Sequence, residues 1–168
     1  QEDASVRGEL SALKSAQVWL TLGVGAIGFG GVFALYSYVS PVFTREAGLD
    51  ISLIPIVLVI FGSGMVVGNV FWGKWIDRSV VGSMAVLLVL MALFLTMFAL
   101  AAGNPYLAMP ALFLVGSATA LASATQTRLM DVAGKAQTMA AALNHSAFNM
   151  GNALGAFLGG LVIAAGWG

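Results

Sequence analysis

Residues 144–160 read Asn144-His145-Ser146-Ala147-Phe148-Asn149-Met150-Gly151-Asn152-Ala153-Leu154-Gly155-Ala156-Phe157-Leu158-Gly159-Gly160, and they place amides, the chain's single histidine and a ladder of glycines in one apolar segment. With a helix turning about 100° per residue, His145, Asn149 and Asn152 fall within roughly 60° of one another, and Gly151, Gly155 and Gly159 form a neighbouring stripe. One helix therefore carries a polar face beside a smooth one.

The solvent of such a helix follows from composition. Of the 168 residues 60% are hydrophobic and only 8% charged, and the mean hydropathy is +0.96, whereas a soluble domain carries about 25% charged residues. The chain reads as an all-α integral membrane protein. Its seven basic and seven acidic residues cancel, so net charge offers nothing to a nucleic acid. With no cysteine and one histidine, thiolate metal sites are excluded and neither a metal nor a cofactor is expected. The first fourteen residues are polar and of mixed charge, unlike a cleavable leader, and the chain is expected to be a piece of a longer protein.

Charged side chains are missing from residues 15–44, 51–73, 79–127 and 136–168. A span needs about 20 apolar residues, so three of these gaps hold one span each. The third gap is too long for one helix and breaks at Gly103-Asn104-Pro105, a turn signal. Five transmembrane helices are predicted, near 18–43, 52–73, 82–102, 106–126 and 138–165, after a cytoplasmic linker over 1–16. In that linker Val6, Leu10 and Leu13 share a helical face, which fits a short amphipathic helix on the membrane surface as well as a solvated linker. Arg7, Lys14, Lys74, Arg78, Arg128 and Lys135 fall on the N-terminal side and only Arg45 on the other. The positive-inside rule then puts the N-terminus in the cytoplasm.

Along the spans, the first is rich in glycine and aligns Phe29, Phe33, Tyr36 and Ser40 at helical spacing, a pattern that fits a cavity lining or, for Tyr36 and Tyr38, interfacial anchoring. Gly64 and Gly68 in the second span are a packing pair. The third span is apolar all round and reads as lipid-facing. Ser117, Thr119, Ser123, Thr125, Gln126 and Thr127 cluster in the fourth, where small hydroxyl residues favour tight helix packing over an aqueous path. Glycines four apart recur in spans two and five, as inverted three-helix repeats require.

Tyr36-Ser37-Tyr38-Val39-Ser40-Pro41, Gly64 to Gly68 leading into Gly73-x-x-x-Asp77-Arg78, the basic loop at Arg128 and the stretch 144–160 together resemble the C-terminal half of the major facilitator superfamily, in particular the bacterial drug and sugar efflux antiporters of the arabinose-efflux and chloramphenicol-resistance type. The family's loop signature is matched at Gly73, Asp77 and Arg78, but the next glycine is delayed to Gly82 and no basic cluster follows. The resemblance implies most of one six-helix half, spans seven to eleven, with the N-terminal half and a last span as missing partners. It also implies a carrier in the inner membrane that exports a small molecule by alternating access, coupled to protons, with the third span outside the cavity.

The implied roles fall on few residues. Asn149, Asn152 and Tyr36 are the candidate substrate contacts, since amides both donate and accept and a phenol adds a polar tip. Gly73, Asp77 and Arg78 are the candidate conformational latch, and Gly64, Gly68, Gly151, Gly155 and Gly159 the candidate packing glycines. His145 is the one titratable side chain within a span and the candidate proton-linked group; a structural hydrogen bond is the reading we favour for it, with the coupling carboxylate in the absent half. An enzyme would need nucleophile or metal-ligand constellations inside the spans, which are absent, so no enzymatic activity is expected. The alternative to a carrier half is a structural or regulatory half that does not transport without its partner.

Overall fold

A computed structural model describes residues 10–134 and 136–166. Arg7, Lys135 and the linker before Leu10 lie outside the described residues. Leu10–Lys14 forms a 3-10 turn whose buried residue is Ala12, packed with Val18, Leu22 and Leu129, while Leu13 is exposed. The described part of the linker thus closes against the end of the bundle.

The fold is all helical. Helix α1 spans Ala16–Tyr36, α2 Ile54–Arg78, α3 Val80–Ala101, α4 Pro105–Ala118, α5 Leu121–Ala133 and α6 Gln137–Ala164. They make five segments long and apolar enough to cross a membrane, with α4 and α5 forming one of them.

Local chemistry explains the ends. After Tyr36 the chain turns at Ser37-Tyr38 and resumes as a short helix, Val39–Pro41; Pro41 sits in the first turn of this restart, where its missing N–H costs nothing. A π-helical turn over Val42–Glu46 follows, and Gly48, with φ of 66°, makes the left-handed exit that other residues resist. The Asp50 carboxylate accepts from the Ser52 N–H at 2.8 Å and from its hydroxyl at 2.5 Å, an N-terminal cap for the helical run into α2. The two bonds hold the Asp50 carboxyl below its ordinary pKa, the side-chain one contributing most. Asn104 caps α4 through the Tyr106 N–H at 3.0 Å, and Pro105 takes the first helical position, as expected of a turn there.

Two glycine crossings organise the bundle. In the first, α6 lies on α1: a Cβ on Gly151 would stand 2.5 Å from the Ala26 carbonyl oxygen, one on Gly155 would overlap the Gly30 carbonyl, and one on Gly159 would stand 2.8 Å from the Tyr38 ring. In the second, Gly64 and Gly68 of α2 abut the carbonyls of Phe113 and Ser117, and Gly116 abuts that of Phe61. Such contact brings backbones together where lipid supplies no hydrophobic drive. The two crossings join spans one and five and spans two and four, pairs that exchange under a shift of three spans.

The third span departs from the lipid-facing reading. One stripe of α3, Met84, Leu87, Met91 and Phe98, is buried in the core, with Phe98 6.0 Å from Phe43. Only its other side, with Val81, Val86, Val89, Leu93 and Leu100, is exposed. Amphipathicity does not reveal this division, because both sides are equally apolar.

Candidate functional site

On the face where α1, α2 and the α4–α5 junction meet lies a groove of about 430 Å³. Helix α1 contributes Phe29, Phe33 and Tyr36 at helical spacing, α2 contributes Phe61, Gly62 and Met65, and the junction contributes Thr119. No added Cβ at Gly62 would touch anything within 4 Å, so the missing side chain leaves the space open. The rings form a chain: Phe33 and Tyr36 meet edge to face with centroids 6.0 Å apart, Tyr36 and Phe61 lie 5.5 Å apart, and Phe29 stacks on Phe148 of α6 at 4.1 Å.

The α4–α5 junction is a break in the fourth span, expected to be continuous. Helix α4 ends at Ala118 and α5 starts at Leu121. At the break Thr119 turns its hydroxyl back onto the Gly116 carbonyl at 2.6 Å, a local bond that competes with the helix ladder. Thr119 and Ala120 both keep right-handed helical dihedrals and are buried, so the break is a kink within one 29-residue segment, Pro105–Ala133.

The polar residues divide into local and tertiary. Thr125 and Thr127 bond to carbonyls of their own helix, and Ser117 does the same. Ser123 instead donates to Asn69 Oδ1 at 2.9 Å, linking α5 to α2 one turn beyond Met65. Asn144 is 2% exposed and donates from Nδ2 to Gln126 Oε1 at 2.5 Å; its Oδ1 is buried without a hydrogen-bond partner among the described residues.

Tyr36 lines the groove, 42% exposed, and among the described residues its hydroxyl has no hydrogen-bond partner. Asn149 and Asn152 do not line it. Asn149 is exposed. Asn152 is half-buried, with an unpartnered Oδ1, one turn along α6 from the Phe148 ring that backs Phe29. His145 is exposed and makes no hydrogen bond among the described residues, so the structural amide link near the start of α6 belongs to its neighbour Asn144. The Tyr38 hydroxyl donates to the Ala156 carbonyl, which ties the end of α1 to α6.

Gly73, Asp77 and Arg78 are part of α2, which runs beyond the expected Gly73 end. Asp77 and Arg78 are exposed and without ion-pair partners among the described residues. Ser79 alone separates α2 from α3 and caps α3 through the Gly82 N–H at 3.3 Å; the delayed glycine thus serves a helix cap.

Sequence reasoning missed Phe61, Met65 and the Asn69–Ser123 link, and it read Thr119 for packing more than for a path. The signal for the first two was present, since Leu58, Phe61 or Gly62, and Met65 follow a helical repeat. The break at Thr119 had no signal, because it depends on packing. Among the described residues no charged side chain lines the groove; it offers ring faces, a thioether, a phenol and a threonine oxygen. That surface suits an apolar or aromatic molecule with a small polar group.

Comparison with known proteins agrees with this architecture. Residues 10–168 match the family model described as Major Facilitator Superfamily. The chain belongs to the major facilitator superfamily. It is 37% identical over 164 residues to the inner membrane transport protein YdhP of Escherichia coli K12, covering 97% of this chain and 42% of that protein. It is 33% identical over 151 residues to the chloramphenicol resistance protein of Streptomyces lividans, covering 89% and 38%. It is 33% identical over 160 residues to the MFS-type transporter YfhI of Bacillus subtilis, covering 92% and 39%. The chain therefore spans about two fifths of the length of these relatives, in their C-terminal part, and carries a partial major facilitator fold. No solved structure matches it.

Proposed function

We propose that this chain is the C-terminal half of a secondary active transporter in the inner membrane that exports a small apolar or aromatic molecule by alternating access. The observation that carries the reading is the uncharged aromatic groove, open on one face of the bundle and framed by Tyr36, Phe61 and the break at Thr119. A second half facing it would close the groove into a cavity near the bilayer midplane. The direction is supported by the name of the Streptomyces relative, a resistance protein.

Asn149 and Asn152 extend this surface along α6 and meet the substrate when the halves close. Asp77 and Arg78, exposed at the end of α2, contact the opposite half as a latch. Protons supply the drive through a carboxylate of that half, with His145 as the titratable group on this one. The basic residues at the N-terminal end place that end in the cytoplasm.

Reconstitution in proteoliposomes tests the reading. The protein at its natural length should move a hydrophobic aromatic probe opposite to the proton flux set up by an imposed gradient, and this chain should move it only when its N-terminal half is supplied. Transport by the chain alone, or none by the complete protein across a panel of aromatic probes, overturns it.

A further inference from the structure

A second recess lies on another side of the bundle, where the start of α1, the start of α3 and the end of α5 converge. It encloses about 170 Å³, and its lining is mixed, with Gln17, Thr21 and Arg128 among the apolar Leu20, Val24, Val81 and Met84. We propose that it binds an anionic phospholipid, with the lipid phosphate on Arg128 and an acyl chain along Leu20, Val81 and Met84.

The charge of Arg128 is the first argument. Its side chain is half-buried, and its one partner among the described residues is the neutral Gln17 Oε1, 3.2 Å from Nη2. Asp131, three residues on, is exposed and makes no ion pair among the described residues. A guanidinium has five donors in a fork that fits phosphate, so most of its hydrogen-bonding capacity is unspent. Thr21 does not compete, because its hydroxyl is bonded to the Gln17 carbonyl at 2.8 Å.

The second argument is the start of α3. Val81 lines the recess in the first turn of this 22-residue helix, where backbone N–H groups lack intrahelical acceptors and the helix dipole favours an anion. Ser79 occupies only the Gly82 N–H.

The third is location. The exposed side of α3 continues from Val81 through Val86, Val89 and Leu93 as plain hydrocarbon, and α3 gives no residue to the aromatic groove. On the first turn of α1, two residues after Gln17, Trp19 is 54% exposed with its indole N–H on the Leu13 carbonyl at 2.9 Å, the amphipathic placement that marks headgroup depth. A basic recess at that depth, beside an apolar wall, is complementary to a phosphate with its acyl chain.

The test is native mass spectrometry of the protein at its natural length, delipidated in mild detergent and titrated with phosphatidylglycerol, phosphatidylethanolamine or inorganic phosphate. Phosphatidylglycerol should be retained about five-fold more strongly than phosphatidylethanolamine, the factor expected of one arginine at the membrane surface. Arg128→Gln should abolish the preference and Arg45→Gln, at the opposite end, should leave it intact. Should Arg128→Gln fail to fold, Val81→Trp, which fills the recess and leaves the arginine in place, should reduce retention of both lipids. Equal retention of the two lipids, a preference that survives Arg128→Gln, retention of both lipids unmoved by Val81→Trp, or displacement of phosphatidylglycerol by inorganic phosphate overturns the proposal, the last by revealing a free-phosphate site.

Discussion

Tyr38 donates its phenolic hydrogen to the carbonyl oxygen of Ala156 at 2.8 Å, a bond between residues 118 apart in sequence. The same ring covers the edge of α6 where Gly159 and Gly160 leave room for it. Tyr38→Phe keeps the ring and removes the bond, so stability should fall by about 1 kcal/mol, the usual net value of one hydrogen bond. Unfolding in mixed micelles measures it, and an unchanged midpoint would show that the bond contributes nothing.

The Gly155 contact is backbone on backbone, so neither partner can rotate away. Gly155→Ala should force α1 and α6 apart and lower stability by about 1–3 kcal/mol, as overpacking does. Gly23→Ala is the control, because a Cβ there meets nothing within 4 Å. Equal melting temperatures for the two variants would refute the tight crossing.

Asn144 and Gln126 behave as a buried unit. Gln126→Ala removes the one described partner of an amide that is 2% exposed, and should cost about 1–3 kcal/mol through the unsatisfied donor. Replacing both residues with leucine removes the polar groups together and should cost less than the single change. A double-mutant cycle reads the difference as a coupling energy.

The groove makes a prediction about transport. Because Gly62 faces open space, Gly62→Phe should fold normally and fill the groove, weakening binding of an aromatic probe at least about tenfold, or about 1.4 kcal/mol. Tyr36→Phe should alter selectivity for probes with a hydrogen-bonding group while sparing purely apolar ones. Normal probe binding by Gly62→Phe would move the substrate site elsewhere.

Asp50 gives a pH signature. Its folded pKa is lowered, first by the Ser52 hydroxyl and then by the Ser52 N–H. The carboxylate therefore favours the folded state above its unfolded pKa, and this contribution is lost as the pH falls through the lowered folded value. Asp50→Asn, which keeps a capping oxygen but cannot titrate, should flatten the part of the stability profile that lies on the acid side of the ordinary value of 3.8. The same acid-side slope in both proteins would exclude Asp50 as its source.

Much of the candidate site was legible in one dimension only. Phe29, Phe33 and Tyr36 share a face by helical spacing, and that face lines the groove. Asn149 and Asn152 share a face by the same arithmetic, yet Asn152 is half-buried beside the Phe148 turn and Asn149 is exposed. Periodicity says which residues lie together on one helix; it carries no information about what the neighbouring helix presents. His145 and Asn144 show the same limit, since a rotation of 100° exchanges a buried amide for an exposed imidazole.

By itself the sequence determined that this chain is a membrane protein with five apolar helices long enough to cross. Charge in hydrocarbon is costly and backbone groups there must bond within their own helix, so charge gaps and breaker residues are sufficient to draw the spans. The tertiary structure decided which side of α3 is core, that the fourth span breaks at Thr119, and that the Asp77-Arg78 signature lies on a helix. In a bundle whose helices are apolar on every side, hydrophobicity cannot choose the contact faces. Glycine-to-carbonyl fit and a few interhelical hydrogen bonds make that choice, and they exist only once the helices have met.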